Sequence, residues 1–167
     1  LLNTHKITVE DFGAGSRKMK SPDRKISDIT RYNAKSAKYA QLIYRLIQSY
    51  SCKNILELGT SVGITSYYMA LANSKAQIIT IEGSQEIYSF AKQQFKDLNC
   101  TNIKSHLGEF DRVLDQLIPP PNHFDLVFVD GNHQKESTLR YFHKILPHLS
   151  KNGIFIFDDI HWSKPME

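Results

Sequence analysis

The sequence predicts an α/β fold, a doubly wound and mostly parallel β-sheet with helices on both faces. Short apolar segments alternate with segments of helical periodicity over most of the 167 residues. Because crossover helices cover both faces of a parallel sheet, its strands are short, nearly continuous apolar runs. A glycine-containing loop follows the first of these runs, and polar residues follow the others. Ligands bind beyond the carboxyl ends of such strands, so we expect the site at that edge.

The N-terminal part of the sequence differs from the rest. Residues 1–26 are polar and rich in turn-forming residues, and we expect them to form an irregular basic arm. Residues 27–167 are expected to form a single domain. The pattern becomes helical from about residue 27 to residue 49, where apolar residues such as Ile43 and Ile47 recur at helical spacing, and Asn33 is expected to cap the longer part.

The remaining elements follow in alternation. We predict strands over 54–58, 77–81, 103–107, 124–129 and 154–157. Helices are predicted over 64–72, 85–98, 110–117 and 134–146. Ser84 is expected to cap the second of these helices, and the proline run 119–121 ends the third, since proline cannot continue a helix. A turn is expected at Asn152–Gly153, before the last strand.

The composition indicates a globular domain in the cytoplasm. Hydrophobic residues make up 41% of the chain, which excludes a disordered protein. The longest apolar run falls well short of the roughly 20 residues that a membrane span needs, and the first residues lack the apolar stretch of a signal peptide. Cys52 and Cys100 stand in no metal-binding spacing, so we expect two reduced thiols.

The net charge of +4 is unevenly distributed. Residues 1–50 contain ten Lys/Arg and four Asp/Glu, whereas residues 51–167 contain eleven and thirteen. A basic cluster in the arm could meet an anionic partner; it consists of Arg17, Lys18, Lys20, Arg24 and Lys25. Because neither interleaved aromatic residues nor a nucleic-acid motif accompanies it, we favour a solvated arm and expect no nucleic-acid partner.

The loop after the first strand of the domain favours an adenosine cofactor. Gly59 allows a tight turn with the backbone close to a ligand, and Gly63 allows close packing where the next helix begins. The N–H groups there favour a carboxylate or phosphate. Glu82, at the end of the second strand, could accept hydrogen bonds from both ribose hydroxyls. Ser61 stands where a dinucleotide-binding loop has its middle glycine, which argues against a dinucleotide.

The segment from Leu56 to Ser66 resembles the first motif of class I S-adenosylmethionine-dependent methyltransferases, which have a Rossmann-like fold. It is most similar to the cation-dependent small-molecule O-methyltransferases of the catechol and caffeoyl-CoA types, and the resemblance extends to Trp162. It implies that Thr65 approaches the methionine carboxylate of the cofactor and Glu82 the ribose. The expected cofactor-binding residues are Glu57, Gly59, Ser61, Gly63, Thr65, Glu82, Gly108, Glu109, Phe110 and Asp130.

Three carboxylates follow two neighbouring strands of the predicted sheet. Asp130 ends one apolar strand, and Asp158 and Asp159 end the other. Like charges so close together repel unless something offsets them, and a hard divalent cation such as Mg²⁺ with oxygen ligands would do so. The alternative, which the residues leave open, is that these acids accept backbone hydrogen bonds in their loops.

The resemblance adds roles for these residues. Asp130, Asp158 and Asp159 match positions of a metal triad of Asp, Asp and Asn, so that Asp159 departs from the pattern and adds a negative charge. The family usually has a lysine base at the position of His133, and an imidazole could take a hydroxyl proton there. We therefore expect His133 and Asp130 to be catalytic. The same Asp-Gly-x-His run occurs in a second group of methyltransferases, so it does not prove the metal.

The leading hypothesis is O-methylation of a small hydroxylated molecule with S-adenosylmethionine, by a base and by orientation of the reactants. A nicotinamide-dependent oxidoreductase and a non-catalytic cofactor-binding module are the alternatives. The methyltransferase fold normally continues after its fifth strand with a helix and an antiparallel hairpin. The sequence ends at Glu167, so we expect that hairpin to be missing from this chain. A bare sheet edge pairs readily, and a homodimer is therefore a further expectation.

Overall fold

A computed structural model describes residues 5–10, 12–15, 19, 21–33, 35–117 and 123–167. Arg17, Lys18 and Lys20 of the basic cluster lie outside the described residues, as does the proline run 119–121. None of the helices in the described part of the chain combines the length and apolar character that a membrane span requires.

The centre of the fold is a five-stranded sheet in which all neighbouring strands are parallel. Its strands, in chain order, are β3 (Asn54–Leu58), β4 (Gln77–Glu82), β5 (Ile103–Leu107), β6 (Phe124–Val129) and β7 (Leu149–Phe157). Their spatial order is β5-β4-β3-β6-β7. The order in which successive strands are added to the sheet thus reverses between β3 and β6, and the loops after these two strands lie side by side at the edge where a ligand is expected. The predicted fold class is confirmed.

Six helices accompany these strands in the described residues. They are α1 (Ile26–Asn33), α2 (Ala37–Ser49), α3 (Ile64–Ala72), α4 (Gln85–Asp97), α5 (Phe110–Leu117) and α6 (Lys135–Ile145). The bounds of α3, α4, α5 and α6 agree with the ranges predicted from the sequence to within one residue. The helical pattern over 27–49 forms two helices, and the longer one, α2, begins after Ser36 rather than after the predicted cap Asn33. Ser84 begins α4 without a side-chain capping hydrogen bond. The turn expected at Asn152–Gly153 is wrong, because β7 continues through it with a shift of register against β6.

The core follows the alternation of side chains along each strand. Ile55 and Glu57 of β3 point to one face of the sheet, and Leu56 and Leu58 to the other. On the first face a buried cluster joins Ile55 to α2 and α3, and on the second face another joins Leu56 and Leu58 to α5 and α6. Glu57 is thus a carboxyl group enclosed in the interior, with no exposed surface.

The N-terminal arm is more regular than expected. β1 (Lys6–Thr8) and β2 (Asp23–Lys25) form a two-stranded antiparallel sheet, so the prediction of an irregular segment is wrong for these residues. Apolar residues that stand apart from one another in the sequence come together in the structure and stabilise this small sheet. Ile7 and Ile29 are buried in a third cluster with Val62 and Ile87 of the domain, which fixes the arm and α1 against it.

Candidate active site

A cavity of about 750 Å³ opens at the carboxyl edge of the sheet. The loops after all five strands contribute to its wall, and the N-terminal arm and the turn between α1 and α2 close the opposite side. The volume lies within the range of roughly 300–1,000 Å³ that is typical of small-molecule and cofactor sites. The site is therefore where the doubly wound topology predicts it.

Gly59, the first residue after β3, has no room for a side chain. Gly59 has a φ of +104°, and a Cβ at this position would lie 2.1 Å from the carbonyl oxygen of Asp130. The backbone N–H groups of Gly59 and Thr60 both donate to the carbonyl oxygen of Ile81. Glycine is thus required here because the backbones of the β3 and β6 loops touch, which leaves a bare peptide surface facing the cavity.

Glu82 is fixed against this loop by backbone donors. The N–H of Ser61 donates to Glu82 Oε2 at 2.9 Å, and the N–H of Ser84 donates to Oε1 at 3.0 Å. Ser61 itself has a φ of +49°, which is unusual for a residue with a side chain. The two hydrogen bonds orient the carboxylate at the cavity wall.

Glu57 lies beneath the loop rather than in it. Its Oε2 accepts hydrogen bonds from the hydroxyl groups of Ser66 and Thr80. Burial raises the pKa of Glu57 to about 8; these two hydrogen bonds oppose the rise, and the negative charges of Asp130 and Glu82 add to it. A protonated carboxyl group at neutral pH follows, so Glu57 supports the loop as a neutral group.

The structure brings most of the predicted cofactor residues to the cavity and leaves three outside its wall. Those that line it are Gly59, Ser61, Glu82, Gly108, Glu109, Phe110 and Asp130. Glu57, Gly63 and Thr65 do not. Gly63 begins α3 with a φ of +82° and packs against the Phe95 ring, and Thr65 lines a separate pocket of about 10 Å³ behind the loop.

The predicted metal triad is only partly assembled. Lys35 Nζ lies 3.0 Å from Asp130 Oδ1 and is in direct contact with the carboxylate of Asp158. Burial raises the pKa of Asp130 although the Lys35 ammonium opposes the rise. Asp159 lies beside His133, with 3.7 Å between its Oδ2 and His133 Nε2. The position between Asp130 and Asp158, where a metal cation was expected, thus contains the Lys35 ammonium group.

His133 lies in a strained loop beside these acids. Asn132 and His133 both have positive φ, at 69° and 50°, and such conformations cost of order 1–3 kcal/mol each. They turn the imidazole towards Asp159 and over the Trp162 ring, with ring centroids 5.4 Å apart. Atoms of Asp130, His133 and Asp159 lie within 4.8 Å of one another, a spacing that a metal ion could also use.

Sequence reasoning missed the contributions of the arm and of the turn before α2. Phe12 places its ring against Gly83, and its carbonyl oxygen accepts a hydrogen bond from Asn132 Nδ2 at 3.2 Å. The N–H of Ala14 donates to the Asn132 carbonyl oxygen at 2.7 Å. Lys35 falls in the part of the chain whose pattern predicts helix, and local spacing gives no signal for such long-range contacts.

Comparison with known proteins gives a consistent result. A family model described as a methyltransferase domain matches residues 56–160. The catechol O-methyltransferase of Niastella koreensis is 32% identical over 125 residues, which are 73% of this chain and 54% of that protein. The O-methyltransferase hkm8 of Aspergillus hancockii is 30% identical over 112 residues, which are 64% of this chain and 42% of that protein.

Solved structures agree with the sequence relatives. The O-methyltransferase TomG from Streptomyces achromogenes, crystallised in complex with SAM, superposes with a TM-score of 0.74 at 25% identity. The match covers 82% of this chain and 64% of that one. The chain spans about half the length of the curated relatives it matches.

Proposed function

The chain belongs to the class I S-adenosylmethionine-dependent methyltransferase family, and on that basis we propose that it methylates a hydroxyl group of a small molecule. The observation that carries the proposal is the single cavity that joins two groups of residues. One group, around Gly59 and Glu82, suits an adenosine cofactor; the other, around Asp130 and His133, suits a hydroxylated acceptor.

The cofactor half fits S-adenosylmethionine by its chemistry. Glu82, fixed by two backbone N–H groups, would accept hydrogen bonds from the ribose hydroxyls. Gly108, with a φ of +142°, and the half-exposed ring of Phe110 would border the adenine beyond β5. Gly59 keeps the backbone bare where a Cβ would collide with the next loop. The bound cofactor supplies a methyl group on a positively charged sulfur.

On the acceptor side, His133 is the proposed base. Its Nε2 would take the proton of the acceptor hydroxyl as the oxygen attacks, and the nearby carboxylate of Asp159 would stabilise the resulting imidazolium. The Trp162 ring packs against the imidazole, with ring centroids 5.4 Å apart. Orientation of the reactants supplies much of the rate enhancement in such a displacement, so the strained loop that fixes His133 has a direct function.

A divalent cation remains part of the proposal because the donors suit one. Asp130, Asp158 and Asp159 offer the oxygen ligands that Mg²⁺ prefers, and a bound cation would lower the pKa of the acceptor hydroxyl. Lys35 contacts Asp130 and Asp158, and its side chain must withdraw before the contacted oxygens can bind a metal ion.

The test separates cofactor binding from transfer. Isothermal titration with S-adenosylhomocysteine should show binding to the wild type and weaker binding to Glu82→Gln, with Glu136→Gln in the exposed first turn of α6 as the matched control. His133→Asn should bind the cofactor as the wild type does but lose about 10²–10⁴-fold in methyl transfer to catechol-like acceptors. Absence of binding by the wild type at millimolar cofactor would contradict the proposal.

The alternatives make different predictions. A nicotinamide-dependent oxidoreductase would bind a dinucleotide, and the relatives described above do not favour it. A non-catalytic module would bind S-adenosylmethionine without turnover on any acceptor. The homodimer and the cytoplasmic location stay predictions, to be checked by light scattering of the purified protein and by fractionation of cells.

A further inference from the structure

The ion pair of Lys35 is buried more than surface ion pairs are. The side chains of Lys35 and Asp130 are each 15% exposed and that of Asp158 is 30% exposed. Exposed ion pairs contribute little to stability, whereas removal of one member of a buried pair leaves an uncompensated charge. Loss of the Lys35 ammonium group would therefore leave uncompensated negative charge on Asp130 and Asp158.

The fold, and not only the charge, places Lys35 there. It lies between α1 and α2, and both helices are fixed by buried residues on either side of the turn. Ile29 of α1 and Ile47 of α2 have no exposed surface. Lys35 thus lies between two helices that are each packed against the body of the protein.

The two carboxylates need a positive charge at this place. Asp130 and Asp158 follow neighbouring strands, and the N–H of Asp158 donates to the carbonyl oxygen of Val129, which brings their loops together. Both carboxylates contact the same ammonium group and so lie close together, and two like charges so placed disfavour the ionised state of both. An ammonium group offsets one unit of that charge, and a divalent cation would offset two, but the same oxygen atoms cannot serve both.

We propose that Lys35 is a built-in counter-ion that occupies the position between Asp130 and Asp158 and competes with a divalent cation for these two carboxylates. The inference rests on the proposed function only for the role of the site in methyl transfer. The competition itself is a binding equilibrium. It holds the acidic edge together without metal and weakens the affinity for metal.

Cation binding tests this directly. Mn²⁺ binding is measured at constant pH and low ionic strength, by titration calorimetry and by the electron paramagnetic resonance signal of the free ion. Lys35→Met removes the ammonium and keeps most of the aliphatic chain, and Lys35→Gln is a second variant in case the first does not fold. Lys38→Met, in the first turn of α2 with its ammonium over the Tyr39 ring, is the matched control.

We expect both Lys35 variants to bind Mn²⁺ at least about tenfold more tightly than the wild type, which is the effect of about 1.4 kcal/mol of lost competition. Their melting temperature without metal should fall and recover when Mn²⁺ is added, whereas Lys38→Met should match the wild type. Equal affinity in wild type and variants, including no detectable binding by any of them, would overturn the proposal. S-adenosylhomocysteine binding, measured separately, reports on the proposed function, so the two can fail independently.

Discussion

Substitution of Glu57 by glutamine should make the protein more stable at alkaline pH. The carboxyl group has no exposed surface, and its pKa rises from an ordinary 4.5 to about 8 because burial disfavours the charged form. A glutamine amide has nearly the same shape and can still accept the hydrogen bonds of Ser66 and Thr80 through its oxygen. The substitution therefore removes the ionisation and keeps the packing.

The size of the effect follows from the two pKa values. Below pH 4.5 the folded and unfolded states both hold the proton, so the contribution to stability is fully present. Between pH 4.5 and about 8 only the unfolded state releases it, and the free energy of unfolding falls by about 1.4 kcal/mol per pH unit. The total approaches about 5 kcal/mol, of which about 2 to 3 kcal/mol falls between pH 5 and pH 7.

Urea denaturation at pH 5, 6, 7 and 8 measures this. Other groups titrate in both proteins, so the relevant quantity is the difference in free energy of unfolding between wild type and Glu57→Gln at each pH. We expect this difference to shift in favour of the variant by about 2 to 3 kcal/mol from pH 5 to pH 7. A difference that is constant with pH would refute the reasoning, because it would mean that Glu57 ionises in the folded protein as it does in the unfolded chain.

Three further substitutions test the loops and the sheet. Gly59→Ala should abolish S-adenosylhomocysteine binding in titration calorimetry, because its Cβ would lie 2.1 Å from the Asp130 carbonyl oxygen; unchanged affinity would show that the loops are not in contact. Glu82→Gln should weaken that binding about tenfold through loss of charged hydrogen bonds to the ribose, and an unchanged dissociation constant would place the ribose elsewhere. Asp125→Ala should cost about 1–3 kcal/mol in urea denaturation, because Asp125 Oδ2 accepts two backbone hydrogen bonds where β3 begins; no change would mean that water replaces it.

Much of the fold could be predicted from the sequence because its signals are local. The apolar runs that become β3 and β6 are buried on both faces, and short apolar runs of this kind indicate parallel strands. Each strand ends where its apolar run ends, so the residues at the carboxyl edge could be named in advance. Gly59 and Glu82 reached the cavity for that reason.

The errors arose where distant residues override local pattern. The arm has little hydrophobic periodicity, and its strands β1 and β2 form because Ile7 packs in a buried cluster with Val62 and Ile87. α1 and α2 are also separate helices, whereas the sequence indicated a helical pattern from about residue 27 to residue 49. In both places the free energy comes from contacts between segments far apart in sequence.

What the sequence by itself determined was the class of fold, the edge of the sheet where the cavity opens, and the identity of the acids and the histidine at that edge. Only the tertiary structure decided which charges meet. It placed Glu57 beneath the loop, Asp159 beside His133, and Lys35 between Asp130 and Asp158. The physical reason is that a strand fixes its own side-chain directions locally, whereas the partner of a charge depends on packing that brings remote segments together.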